Sequence, residues 1–186
     1  MTQCARKGGF AVLDEINMAK NEALSVLHSV LDFRRIIDLP GYERIALAPE
    51  TRFIATMNYG YAGTRDLNDA LASRFVIINM PVITEEDLNR LIIRSYPGIR
   101  EQIAGQFAKL FTELERKAES AEITERAVDL RGLLDALGLI RQGLTSGEAL
   151  SLCVTNKTFD RYERNLVQDV IDARIPGDLD AKTVFG

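Results

Sequence analysis

Gly9-Phe10-Ala11-Val12-Leu13-Asp14-Glu15 is an unbroken apolar run that stops at two adjacent carboxylates. A run of this length and texture reads as a strand buried on both faces, as in a parallel sheet flanked by helices. Such a strand delivers the residues after it to the carboxyl edge of the sheet, where ligands of open α/β sheets bind. One carboxylate there can hold a hydrated Mg²⁺ while its neighbour polarises an attacking water. The same pair also suits a plain lead into the next helix, and the run alone does not decide between these roles.

Working outward, a helix is predicted from about Lys20 to Leu31, with Leu24, Leu27 and Leu31 on one stripe. Residues 33–48 read as a hairpin: Arg35-Ile36-Ile37-Asp38-Leu39, a turn at Pro40-Gly41, then Arg44-Ile45-Ala46-Leu47. A second buried strand, Phe53-Ile54-Ala55-Thr56-Met57, ends at Asn58. An amide at that point can donate to a phosphate oxygen or orient a water without repelling an anionic substrate. Its plainer role is to form the turn before Tyr59-Gly60. Leu67 to Ala72 reads as a short helix and Phe75-Val76-Ile77-Ile78 as a third strand. Arg74 stands between them, either as a surface ion-pair former or as a cation reaching a neighbouring subunit's site.

After Pro81 the texture is helical throughout. Thr84-Glu85-Glu86-Asp87 starts one helix, with its acids at the positive end of the helix dipole, and Tyr96-Pro97-Gly98 stops it. The next places Ile99, Ile103, Phe107, Leu110, Phe111 and Leu114 on one stripe. A third runs from about Ala127 to Gln142, a fourth starts at Ser146, and a fifth spans about Phe159 to Arg174 with Tyr162, Leu166 and Val170 inward. Pro176-Gly177-Asp178 opens a polar tail expected to be mobile.

The composition is that of an ordinary soluble protein, expected in the cytoplasm from its two separated cysteines: 46% hydrophobic and 27% charged, with a formal net charge of −4 over 186 residues. That acidic balance argues against a nucleic-acid partner. No apolar run approaches the roughly 18 residues of a membrane span. Cys4 and Cys153 lie far apart with no metal-ligand spacing and read as reduced thiols, and His28 reads as a structural residue of its helix.

Phe10-Ala-Val-Leu-Asp-Glu15, Ile54-Ala-Thr-Met-Asn58 and Ala70-Leu-Ala-Ser-Arg-Phe75 occur in the order and spacing of the Walker B, sensor 1 and arginine-finger segments of AAA+ ATPases. The chain resembles that family over residues 8–143, and looks most like its MoxR-like and dynein/midasin-related branch. There the first segment leads into a long helix and a hairpin, and a loop similar to Tyr59-Gly-Tyr-Ala-Gly-Thr-Arg-Asp-Leu-Asn68 follows sensor 1. The resemblance implies an α/β fold: a P-loop NTPase αβα core over residues 1–81, a helical lid over 82–175 and a flexible tail over 176–186. It implies ATP and Mg²⁺ as ligands, with Asp14 associated with the metal, Glu15 activating water and Asn58 acting as sensor 1. Arg74 would be a finger acting in trans within a homo-oligomeric ring, with Arg65 as its alternative. For the sensor 2 arginine of the lid, Arg131 and Arg126 are both candidates.

The sequence contains no G-x-x-x-x-G-K-[ST] loop, the element that cradles the phosphates. The core is therefore expected to be incomplete, with a gap in the sheet between the sensor 1 strand and residues 75–78. Two functions remain open, beside a DNA or RNA motor against which the acidic balance and the lack of a basic, aromatic-interleaved stripe argue. One is a ring ATPase that remodels a partner protein or complex, of which this chain is a fragment; the other is an interaction module that turns over no ATP.

Overall fold

The computed structural model describes residues 1–58 and 66–186. It divides into two compact units, Met1–Met80 and Pro81–Gly186. The first mixes helices with short strands; the described residues of the second are helices and connections.

In the first unit α1 (Thr2–Lys7) leads into β1 (Gly9–Leu13), which lies parallel to β4 (Thr51–Ala55) with Ala11 opposite Phe53 and Leu13 opposite Ala55. Between these strands the chain forms α2 (Asn21–Leu24), α3 (Leu27–Leu31) and a two-stranded antiparallel ribbon, β2 (Ile36–Ile37) with β3 (Ile45–Ala46). The single helix expected over residues 20–31 is thus two short ones. At the break the Ser25 hydroxyl donates to the Glu22 carbonyl at 2.7 Å, a local bond that competes with the helix ladder. The expected hairpin forms with only two residues per strand, and β4 begins two residues before the predicted Phe53.

One side of the parallel pair is packed. Leu13 and Ala55 lie against Ile16, Leu24, Leu27 and Leu71, and Phe53 lies against a second small core around Val30 and Ile37. The other side is open: Phe10 and Val12 are 73% and 62% exposed, and Ile54 beside them is exposed as well. The expectation that β1 is buried on both faces is therefore corrected, because no layer among the described residues of this unit covers that side. The third predicted strand is corrected too. After α4 (Asp69–Ala72), residues 76–80 form no strand, and Val76 is 91% exposed. β-branched residues favour extended backbone, but a strand also needs a neighbour for its N–H and C=O groups. Among the described residues the strand pairs are β1 with β4 and β2 with β3.

In the second unit α5 (Glu85–Ser95) packs on α6 (Glu101–Glu119), α6 on α9 (Arg161–Arg174), and α7 (Leu130–Arg141) on α8 (Ser146–Cys153). Phe107, Leu114, Leu137 and Ile140 are among the residues filling the single core they share. Helix starts are set by side chains: the Thr84 hydroxyl accepts the Asp87 N–H at 3.1 Å, and Thr145 with Glu148 completes a capping box. Gly132 lets α7 approach the Cys153 carbonyl so closely that a Cβ there would collide with it. Two expectations fail. Tyr162 faces solvent at 73% exposed, while Val167 and Glu163 of α9 turn inward. Nor are residues 176–186 a free tail: α10 (Ala181–Phe185) buries Val184 completely, and the Arg100 N–H donates to the Val184 carbonyl at 2.9 Å. Among the described residues no helix is long and apolar enough to cross a membrane.

Candidate active site

Parallel pairing of β1 with β4 brings the ends of both strands to one edge. Asp14 and Glu15 follow β1, and Thr56, Met57 and Asn58 follow β4. The ladder continues past the strands: the Thr56 N–H donates to the Leu13 carbonyl at 3.0 Å, and the Ile16 N–H to the Thr56 carbonyl at 2.9 Å. Two side chains stitch the edge further. The Thr56 hydroxyl donates to Asp14 Oδ1 at 2.5 Å and accepts the Glu15 N–H at 3.0 Å. The buried Asn17 donates from Nδ2 to the Asn58 carbonyl at 2.9 Å.

Glu15 adopts a left-handed backbone, φ 49° and ψ 47°, at the entry to the turn Ile16–Met18. That conformation costs a residue with a Cβ about 1–2 kcal/mol, and strain of this kind is common at functional sites. It breaks the strand direction directly after Asp14, so the two neighbouring carboxylates are not simply consecutive residues of one strand. Asp14, Glu15 and Asn58 are all exposed. Beside the two carboxylates lies an open depression of about 510 Å³ whose lining includes Leu13, Asp14, Glu15, Ile16, Leu24 and Leu27 but not Asn58. Its lining is mostly apolar, with Asp14 and Glu15 as its two carboxylates.

The Asp14 carboxylate is exposed, and its Oδ1 accepts the Thr56 hydroxyl; a carboxylate of this kind is one that could hold a hydrated Mg²⁺. The described residues hold no cluster of three or more potential metal-ligating side chains. Mg²⁺ in phosphate-transfer sites needs none, being held by one or two carboxylates together with waters and substrate oxygens.

Arg74 does not join this group. It lies two residues beyond the end of α4, exposed, and its guanidinium donates to the Ala70 carbonyl of that helix. Among the described residues it forms no ion pair with Asp14 or Glu15. Its charge is one of the lesser influences on Asp32, whose carboxyl is held low chiefly by its hydrogen bond with Arg34. Arg65 lies outside the described residues, as does most of the loop after Asn58. The two lid candidates belong to the second unit. Arg131 is the second residue of α7 and exposed, whereas Arg126 places its guanidinium 5.7 Å from the centre of the Phe159 ring.

Thr56 is the residue that sequence reasoning passed over. It counted only as part of an apolar strand, although its place one step past the partner of Leu13 put it opposite the carboxylates.

Residues 1–75 match the family model of the AAA domain, dynein-related subfamily. That match supports an AAA+ ATPase relationship and an ATPase-type function for this stretch. The uncharacterized protein YojN of Bacillus subtilis (strain 168) is 32% identical over 173 residues, covering 92% of this chain and 57% of its own length. The uncharacterized protein SH1500 of Staphylococcus haemolyticus (strain JCSC1435) is 33% identical over 168 residues, covering 90% of this chain and 64% of its own length. A Staphylococcus aureus (strain USA300) relative, the uncharacterized protein SAUSA300_1302, is also 33% identical over 168 residues, 90% of this chain and 64% of its length. The matched region thus spans about three fifths of these relatives.

Proposed function

We propose that the edge formed by Asp14, Glu15 and Asn58 is half of an ATP-hydrolysing site in a AAA+ ring ATPase of MoxR-like or dynein/midasin-related type. The ring would act on a partner protein or complex. The observation that carries this reading is the meeting of the Asp14–Glu15 pair and Asn58 at one carboxyl edge of a parallel strand pair. The AAA-domain match over residues 1–75 supports it.

Each residue then has a chemical task. Asp14 would hold a hydrated Mg²⁺, which when bound would neutralise phosphate charge. Glu15 accepts a proton from the water that attacks the γ-phosphoryl group, and Asn58 orients that water or donates to a phosphate oxygen. Arg74, exposed and without an ion pair to Asp14 or Glu15 among the described residues, would serve the nucleotide of a neighbouring subunit. In the helical unit, read as the lid, Arg131 or Arg126 would be the sensor 2 arginine. The phosphate cradle must come from polypeptide outside these 186 residues, since no G-x-x-x-x-G-K-[ST] loop is present among them.

A second reading is an interaction module without turnover. The open sheet face of Phe10, Val12 and Ile54 favours it, because a parallel pair is ordinarily covered on both sides. MgATP hydrolysis separates the two. It is measured for the chain alone and with polypeptide bearing the missing loop, each against Glu15→Gln. Turnover that needs the loop and vanishes in Glu15→Gln supports the ATPase. No turnover in either setting leaves the interaction module as the function.

A further inference from the structure

We infer that Thr56 is a positioning residue for this edge, its hydroxyl setting the pose of both Asp14 and Glu15. The catalytic consequence rests on the hydrolysis reading above; the geometry belongs to the chain itself.

A hydroxyl offers one proton and two lone pairs. Thr56 gives its proton to Asp14 Oδ1 at 2.5 Å and uses a lone pair for the Glu15 N–H at 3.0 Å. The first bond fixes the rotation of the Asp14 carboxylate. The second, with the Ile16 N–H on the Thr56 carbonyl at 2.9 Å, encloses Glu15 on both sides of its left-handed turn. Few residues with a Cβ hold that conformation without support, and here the support comes from one residue of the opposite strand. The hydroxyl therefore links the metal-side carboxylate to the backbone of the base. The apolar residues on either side, Ala55 and Met57, have no side-chain group that could replace it.

The test compares Thr56→Val, which keeps the shape and removes the hydroxyl, with Thr56→Ser, which keeps the hydroxyl. Amide hydrogen exchange is followed residue by residue in the full chain. In Thr56→Val the Glu15 amide should exchange about tenfold faster or more, with the β1 amides and the helical unit unchanged. Thr56→Ser should stay near the unmutated rate. An unchanged Glu15 amide in Thr56→Val overturns the inference. A rise spread along β1 and β4 also overturns it, since Thr56 would then be holding the sheet rather than the turn. Where the loop-bearing polypeptide gives turnover, Thr56→Val should lower kcat about tenfold with KM for ATP nearly unchanged, and Thr56→Ser should restore it. An unchanged kcat overturns the positioning role. Failure of the hydrolysis reading has a different signature: turnover is absent or survives Glu15→Gln, while the exchange result still decides Thr56.

Discussion

The side-chain amide of Asn17 donates to the main-chain carbonyl of Asn58 across a sequence separation of 41 residues, at 2.9 Å. This bond ties the turn after β1 to the end of β4, independently of Thr56. Asn17 is 3% exposed, so water cannot easily replace it. Replacing it with Ala should cost about 1–3 kcal/mol in denaturant unfolding, read from a probe in the first unit. It should also lower turnover in the loop-completed protein, since Asn58 loses its anchor. A substitution without effect on either would mean that the Asn58 position is set by its own loop.

Arg74 is exposed and bonded only to its own helix among the described residues, so Arg74→Ala should change the stability of the chain by no more than about 0.5 kcal/mol. In an assembled ring the same substitution should reduce turnover about 10³-fold or more, the range of a finger acting in trans. Mixing Arg74→Ala with Glu15→Gln subunits should restore part of the activity, because each supplies what the other lacks. Full turnover by Arg74→Ala in a verified oligomer would move the finger elsewhere, with Arg65 as the first position to examine.

In the helical unit the Glu163 carboxylate accepts both the N–H and the hydroxyl of Thr124, at 2.6 and 2.7 Å. Glu163 is 9% exposed, and its removal leaves the Thr124 N–H without this partner. Glu163→Ala should therefore destabilise the unit by about 2–3 kcal/mol, and Glu163→Gln by less, because its amide oxygen can still accept. Thermal unfolding of the two variants checks the order.

Acid should weaken this unit through its helix caps. The Thr183 hydroxyl and then its N–H hold Asp180 below its ordinary pKa, and the Thr145 N–H and then its hydroxyl do the same for Glu148. A carboxyl with a depressed folded pKa contributes stability above its unfolded value and loses it as pH falls through the folded value. The melting temperature should thus be flat near neutrality and fall progressively below about pH 4.5. Asp180→Asn and Thr145→Val should each flatten part of that fall.

Removal of α10 should expose part of the helical core. Val184→Ala is expected to cost about 2 kcal/mol, because the side chain is completely buried. A melting temperature indistinguishable from that of the unmutated chain would show that residues 181–185 add nothing to the unit.

By itself the sequence determined the elements whose pattern is local. Leu88 and Ile92, Phe107 to Leu114, and Leu133 to Ile140 repeat at helical spacing, and all proved to face one core. The apolar run before Asp14-Glu15 and the run before Asn58 were legible as strands, and placing polar residues at their ends was enough to suggest a shared edge. Tertiary structure alone decided the rest. Val76-Ile77-Ile78 has the composition of a strand, but pairing requires a neighbour, and composition cannot supply one. Exposure of Phe10 and Val12 likewise depends on what lies over them. Five residues at 181–185 are too few to hold a helix by propensity; the burial of Val184 makes one. Thr56 shows the same dependence at the site: nothing in Ile54-Ala55-Thr56-Met57 marks it, because its partners Asp14 and Glu15 lie some forty residues away and meet it only through the register of β1 on β4.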